Sequence, residues 1–318
     1  MLPLALLLVG FSYCVSASAQ QADSVHRIGF VRAGRPPDTF IAGLQQGLRE
    51  HGYIHGRNVI VEYRSTDGSL DALPALIEEL LRLKVDVILA SAAPAAMAAR
   101  KGTKSVPVVF VGVTDPVGLG LVSSLARPGG NLTGITITPD DLAGKRLELL
   151  KELVPGLKRL AVLWRPANPS NPIQLKGAEA AARALGIRIQ SLPIASADDL
   201  ENAFKLARGA DALLQLDDPL LLTNRARITE LAGRSRLPAI YGFREIAEAG
   251  GLMSYGANLQ DLYRRSATYM DKIFKGAKPA DLPVEQPTKF DFVINVKTAK
   301  ALGLTIPQGF LLRAELVQ

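Results

Sequence analysis

Arg27-Ile28-Gly29-Phe30-Val31-Arg32, near the start, and Arg159-Leu160-Ala161-Val162-Leu163-Trp164, at mid-chain, decide the fold. Each is an apolar run of strand length opened by arginine, and the helical stretch after each ends in a glycine, Gly52 or Gly186. The correspondence continues downstream. Asp86-Val87-Ile88-Leu89 is echoed by Asp211-Ala212-Leu213-Leu214, and at the same spacing beyond them Pro94 and Pro219 stand where proline opens a helix. Val106-Pro107-Val108-Val109-Phe110 then finds its echo in Leu237-Pro238-Ala239-Ile240-Tyr241. Order and spacing together predict two equivalent α/β lobes.

Around these anchors the first half alternates strands at 59–63, 85–89 and 106–111 with helices at 38–51, 71–83 and 94–101. Such alternation predicts a parallel sheet with helices on both faces, the doubly wound α/β class. Two Gly-, Pro- and Asn-rich stretches, 114–138 and 250–258, read as passages between the sheets. Helix 259–274 is expected to pack back on the first lobe, and 290–295 to form a late strand. Lobe 1 is therefore drawn as 25–137 plus about 256–280. Lobe 2 takes 138–255 plus about 281–318, with a hinge of several crossings between them.

The chain has 318 residues, 48% hydrophobic and 21% charged, with 28 glycines and 20 prolines, which excludes a disordered chain, a collagen and a polytopic membrane protein. Lys and Arg number 37 against 30 Asp and Glu, and the resulting +7 is spread along the chain, pointing to an acidic partner or to solubility alone. The single cysteine, Cys14, lies in the apolar run 2–15, ahead of Ser16-Ala17-Ser18-Ala19-Gln20. This reads as a signal peptide, 1–19, cleaved after Ala19, and it is shorter than the roughly 20 apolar residues of a membrane span. Lipid anchoring at Cys14 is not expected, because Ser12-Tyr13 lack the small residues required ahead of it. An exported, periplasmic protein without disulfide, cysteine nucleophile or zinc–thiolate site follows.

In open parallel sheets ligands sit beyond the carboxyl ends of the strands, where helix N-termini offer free N–H groups. The repeat nominates Arg32 and Ala33, then Ser91, Ala92 and Ala93, then Thr114 and Asp115 from the first lobe. From the second it nominates Trp164 with Asn168 and Asn171, Asp217 beside Asp218, and the run Tyr241-Gly242-Phe243-Arg244. Trp164 and Tyr241 would stack on a planar group, Ser91 and Thr114 with nearby N–H groups would hold an anionic part, and Asp217 would take an amine. Each has a plainer role open to it: packing between lobes for Trp164, helix capping for Ser91, Asp217 and Asp218, a turn for Thr114-Asp115-Pro116, solvation for Arg244.

Catalytic motifs are weak. The histidines are His26, His51 and His55, and the last two span the helix-ending Gly52 rather than one helical face as a metal site requires, so no metal is expected. Gly251-Leu252-Met253-Ser254-Tyr255-Gly256 has the wrong spacing for a nucleophile elbow, and Gly118-Leu119-Gly120 lacks the third glycine of a dinucleotide fingerprint. No cofactor is expected.

Four further motifs carry a resemblance: Gly47-Leu48-Arg49-Glu50-His51-Gly52-Tyr53, Val111-Gly112-Val113-Thr114-Asp115-Pro116-Val117, Arg127-Pro128-Gly129-Gly130-Asn131-Leu132-Thr133-Gly134, and Val293-Ile294-Asn295-Val296-Lys297-Thr298-Ala299 running on to Pro307. Over about 25–316 the chain resembles the ABC transporter substrate-binding family that includes the tryptophan-binding TrpX-like proteins, a branch of type I periplasmic binding proteins. The resemblance implies two Rossmann-like doubly wound lobes on a multi-strand hinge, closing on a small organic solute for delivery to an ABC permease and its ATPase. It implies a monomer, and an aromatic amino acid or related planar compound as the solute. The loops Arg32-Ala33-Gly34-Arg35-Pro36-Pro37 and Trp164-Arg165-Pro166-Ala167-Asn168-Pro169 depart from the tryptophan binders. A doubly wound enzyme and a ligand sensor for a signalling receptor are the alternatives; nucleic acid is not an expected partner. Closure is expected to pivot near Ile135 and Ser254.

Overall fold

A computed structural model describes residues 25–137 and 142–318. The leader read at 1–19, Cys14 and the pair Asp140-Asp141 lie outside the described residues.

The first lobe runs β1 (His26–Ala33), α1 (Asp38–Glu50), β2 (Val59–Thr66), α2 (Leu73–Arg82), β3 (Val87–Ser91), α3 (Ala92–Gly102), β4 (Val108–Val113) and β5 (Leu132–Thr136). Its sheet has the order β2-β1-β3-β4-β5, parallel throughout. β3 is buried at every residue and β4 nearly so, as inner strands covered by helices on both faces must be, whereas the edge strand β2 carries Glu62 and Arg64 in its half-exposed positions; β5, at the other edge, is buried throughout and is bonded to the backbone of Glu285.

The second lobe holds α4 (Leu142–Leu153), β6 (Arg159–Trp164), α5 (Asn171–Ala184), β7 (Arg188–Pro193), α6 (Leu200–Leu206) and β8 (Ala212–Gln215). It continues through α7 (Pro219–Thr223), α8 (Arg225–Arg234), β9 (Ala239–Tyr241), α9 (Arg244–Glu248) and β10 (Met253–Ala257). After α10 (Leu259–Phe274) come β11 (Phe290–Asn295), α11 (Val296–Ala301), α12 (Gln308–Leu311) and β12 (Glu315–Val317). The sheet order is β12-β11-β10-β9-β8-β6-β7, and its run β7-β6-β8-β9-β10 repeats the first sheet strand for strand.

Two sequence expectations change here. The stretches taken as passages each contain a strand, β5 and β10, and these are equivalent members of the repeat. Glycine hid the first of them. Gly134 has φ +150°, and a Cβ there would lie 2.0 Å from the Phe110 carbonyl oxygen, so β5 approaches β4 this closely only with glycine at that position. The second sheet is also not wholly parallel: β11 pairs antiparallel with β10, because β10 leads the chain out to α10 on the first lobe and β11 brings it back.

α10 packs along α1 in the first lobe although strands of the second sheet flank it. The reason is steric. A Cβ on Gly47 of α1 would sit 2.0 Å from the Arg264 carbonyl oxygen, so the two helices meet backbone to backbone, with Leu262, Tyr263 and Ala267 buried beneath. The chain then returns along β5, where Glu285 N–H donates to the Gly134 carbonyl (3.0 Å) and Thr136 N–H to the Glu285 carbonyl (2.9 Å). Crossings between lobes thus follow β5 and β10 and precede β11. In each sheet the order reverses between its first and third strands, at β1/β3 and at β6/β8. Those reversals leave a crevice at the carboxyl edge.

Candidate functional site

The two crevices face each other across a cavity of about 20 Å³, room for roughly one water molecule. From the first lobe comes Arg32, at the end of β1 and 3% exposed. Its Nη1 donates to Ser91 Oγ (2.7 Å), that hydroxyl is bonded to the Tyr263 hydroxyl (2.5 Å), and the guanidinium lies 5.3 Å from the centre of the Phe40 ring. Arg32 Nε has no partner. Burial pulls its pKa below the ordinary arginine value, against the opposing pull of Tyr263, Asp218 and Glu245. Beside it Ala92 and Ala93 open α3, with Ala92 held at φ +67°. Side chains no larger than methyl leave the first N–H groups of the helix open to the cavity, where backbone strain of this kind concentrates.

The second lobe answers with acid. Asp218 caps α7, accepting from Leu220 N–H (2.7 Å) and Leu221 N–H (3.2 Å) and from Asn168 Nδ2 (2.9 Å), while burial raises its carboxyl above the usual range. Asp217 is differently used. Its Oδ2 accepts from Arg146 (3.0 Å), its N–H donates to Gln174 Oε1 (2.9 Å), and its Oδ1 is buried without a partner.

The lobes are in contact. Arg165 Nη1 donates to the Gly68 carbonyl (2.9 Å), Gln174 Nε2 to Thr114 Oγ1 (3.0 Å), Thr114 N–H to Ser170 Oγ (3.3 Å) and Thr39 Oγ1 to Glu245 Oε1 (2.9 Å). One apolar core runs across the cleft through Phe40, Tyr263, Leu220 and Phe243. Burial holds the Glu245 carboxyl above its ordinary range, with Glu248 adding to the rise and Thr39 and Arg244 opposing it. Thr39 reaches it from the first lobe, so parting of the lobes would bring water to this carboxyl, and contact between the lobes is expected to favour its protonated form. Solute affinity is accordingly expected to rise on going from about pH 8 to about pH 5.5, and Glu245→Gln to flatten that slope in calorimetric titrations. An unchanged slope in the variant would assign the effect elsewhere.

Of the nominated residues, Arg32, Ala92, Ala93, Asn168 and Asp217 line this cavity, and Ser91 stands one hydrogen bond behind it. Thr114 and Asp115 line a neighbouring cavity by the hinge. Four others lie elsewhere. Ala33 is in the first lobe's core. Trp164 pairs with Pro193 in β7, donates to Ser191 Oγ (2.7 Å) and packs on the second lobe's own core. Tyr241 is wholly buried against Gly251, its unpartnered hydroxyl pushed up by desolvation. Arg244 is tied on the outer side to Glu248 (2.9 Å) and Glu315 (2.8 Å). The aromatic side chains at the cavity are instead Tyr263 and Phe243. Neither was singled out, although Phe243 stood in a nominated loop; Tyr263 arrives on a helix from beyond the repeat, which strand-end reasoning does not reach.

Residues 34–318 match the model of a family described as ABC transporter substrate binding protein. The chain belongs to that family. A tyrosine-binding protein of Clostridioides difficile is 27% identical over 264 residues, covering 82% of this chain and 76% of the relative. An ABC domain from Streptococcus pneumonia in complex with L-Trp is 28% identical and superposes with a TM-score of 0.87, covering 93% of this chain and all (100%) of the other. A ligand-free, open substrate binding protein with adhesive properties from Clostridium difficile is 25% identical and covers 92% of this chain and 99% of the other, yet reaches only 0.67. In this substrate-binding protein the two lobes touch across the cleft. The named relatives are binding proteins. Among the described residues no helix is long and apolar enough to cross a membrane, and no cluster of His, Cys, Asp and Glu could hold a metal.

Proposed function

We propose that this protein is the exported solute receptor of an ABC importer, and that its solute is a free amino acid of the aromatic class. The observation that carries the reading is the pairing of a buried guanidinium with a free Nε on one lobe and a buried carboxylate with a free Oδ1 on the other. Arg32 and the first N–H groups of α3 hold the α-carboxylate; Asp217 holds the ammonium. A zwitterion then bridges opposite charges from opposite lobes, so that binding and closure are one event. The relatives' tyrosine and tryptophan supply the aromatic preference.

In this reading the receptor is a periplasmic monomer, not an enzyme, and needs neither metal nor cofactor. It pivots near Ile135 and Ser254, with lobes bounded near 137 and 256 and again near 280. The closed surface is what the permease of the importer recognises, and the +7 charge is a property of the solvated surface. Calorimetric titration with free aromatic amino acids tests it: saturable heat is expected, and no heat at millimolar concentration would overturn it.

A further inference from the structure

The cavity that matches a zwitterion has about 20 Å³ of free space, which accommodates no aromatic ring. A second cavity, of about 240 Å³, adjoins it by the hinge. Its walls come from both lobes: the loop after β4, beginning at Thr114, from the first, and α4, α5 and the end of β8 from the second. They are largely apolar, through Leu125, Leu142, Ile173, Leu214 and Leu216, with Arg146 and Gln286 among the polar groups.

Gln174 is the residue common to both cavities among those described. Its amide spans the cleft, donating to Thr114 Oγ1 (3.0 Å) and accepting from Asp217 N–H (2.9 Å). Gln174 thus stands between the two cavities, its amide anchored on one side to the aspartate proposed to hold the ammonium. A residue of this kind swings aside at the cost of two hydrogen bonds, which polar groups on the entering solute replace in part. Arg146 ties the cavities together a second way, lining the larger while bonded to Asp217.

We infer that the hinge cavity receives the apolar side chain of the solute and that Gln174 is the specificity-determining residue at its entrance. The inference rests on the zwitterion reading and deepens it: the small cavity fixes the amino-acid head, the large one selects the side chain. Filling the hinge cavity then discriminates by side-chain size while leaving the head group's contacts in place.

Ala143 lines this cavity from α4 and is half-buried, with no part in the smaller one. Ala143→Phe is expected to weaken binding of L-tyrosine and L-tryptophan about tenfold or more in calorimetric titration, and that of L-alanine by less than about threefold. Should that variant fail to fold, as judged by circular dichroism, Ile173→Trp fills the same space from α5 and carries the same expectation. Aromatic affinity changed by less than threefold, or an equal loss for alanine and the aromatic amino acids, would overturn the inference. Failure of the underlying reading shows separately, because the unaltered protein would then bind none of these amino acids.

Discussion

Arg32→Ala is expected to weaken solute binding by roughly 100-fold, because about 3 kcal/mol is typical when a buried charge partner is removed and its counterpart is left unpaired. The fold is expected to survive. Arg32 is buried with its Nε unsatisfied, so in the absence of solute its desolvation is a burden on the structure, and its removal leaves thermal stability unchanged or raised. That opposition of effects separates a ligand anchor from a structural residue. Arg32→Lys should fall between the two, since an ammonium keeps the charge but reproduces neither the planar contact with Phe40 nor the fork of separate nitrogens that lets Nη1 take Ser91 while Nε stays free. Calorimetric titration beside a thermal unfolding curve reads both quantities. Loss of stability in step with loss of binding would make Arg32 a structural residue.

The second large effect lies far from the solute. Gly47→Ala is expected to lower the stability of the protein by about 3 kcal/mol, the upper end of what overpacking a tight contact costs. The added methyl would meet the Arg264 carbonyl oxygen at 2.0 Å and the Ala267 methyl at 2.9 Å, and backbone on both sides gives no rotamer an escape. α10 has to lift from α1. Because α10 carries Tyr263 into the cavity and joins the strand β10 to the returning segment along β5, solute affinity should fall with stability in this variant, unlike in Arg32→Ala. Urea unfolding followed by circular dichroism measures the first effect; a midpoint equal to that of the unaltered protein would mean that the two helices do not meet at Gly47.

How much of this was legible in the sequence follows from where each signal resides. The repeat of strand, helix and glycine, from Arg27 and again from Arg159, is local and periodic, and it led to both sheets and to the strand ends where Arg32, Ala92, Asn168 and Asp217 sit. Helix 259–274 and strand 290–295 were legible to the residue, the first because its apolar face is long and the second because Phe290 to Asn295 is a bounded apolar run. β5 was not. Its glycine is needed for tertiary contact with Phe110, and a requirement set by a neighbouring strand looks, along the chain, like a loop.

Side-chain direction was the other limit. Trp164 occupies the place in the second lobe that Arg32 has in the first, yet β6 ends beside Pro193 of β7, and the indole takes the Ser191 hydroxyl rather than the cleft. Tyr241 ends β9 but turns into the lobe. Position at a strand end brings a residue to the edge of the cleft, and packing then decides which way it faces. Tyr263 and Gln174 reach the site from helices, Tyr263 from α10 and Gln174 from the first turn of α5, and only the assembled lobes reveal them.

Closure of the lobes on both ends of a zwitterion requires both charges of the solute. Protein freed of bound solute by unfolding and refolding, titrated calorimetrically with L-tyrosine and L-tryptophan and then with their N-acetyl and carboxamide derivatives, addresses it directly. The free amino acids are expected to bind, and either blocked form to lose about 100-fold, since each removes the solute charge that faces Asp217 or Arg32 and leaves a neutral amide in its place. Blocked derivatives that bind as well as the free amino acids, or free aromatic amino acids that release no heat at millimolar concentration, would contradict it.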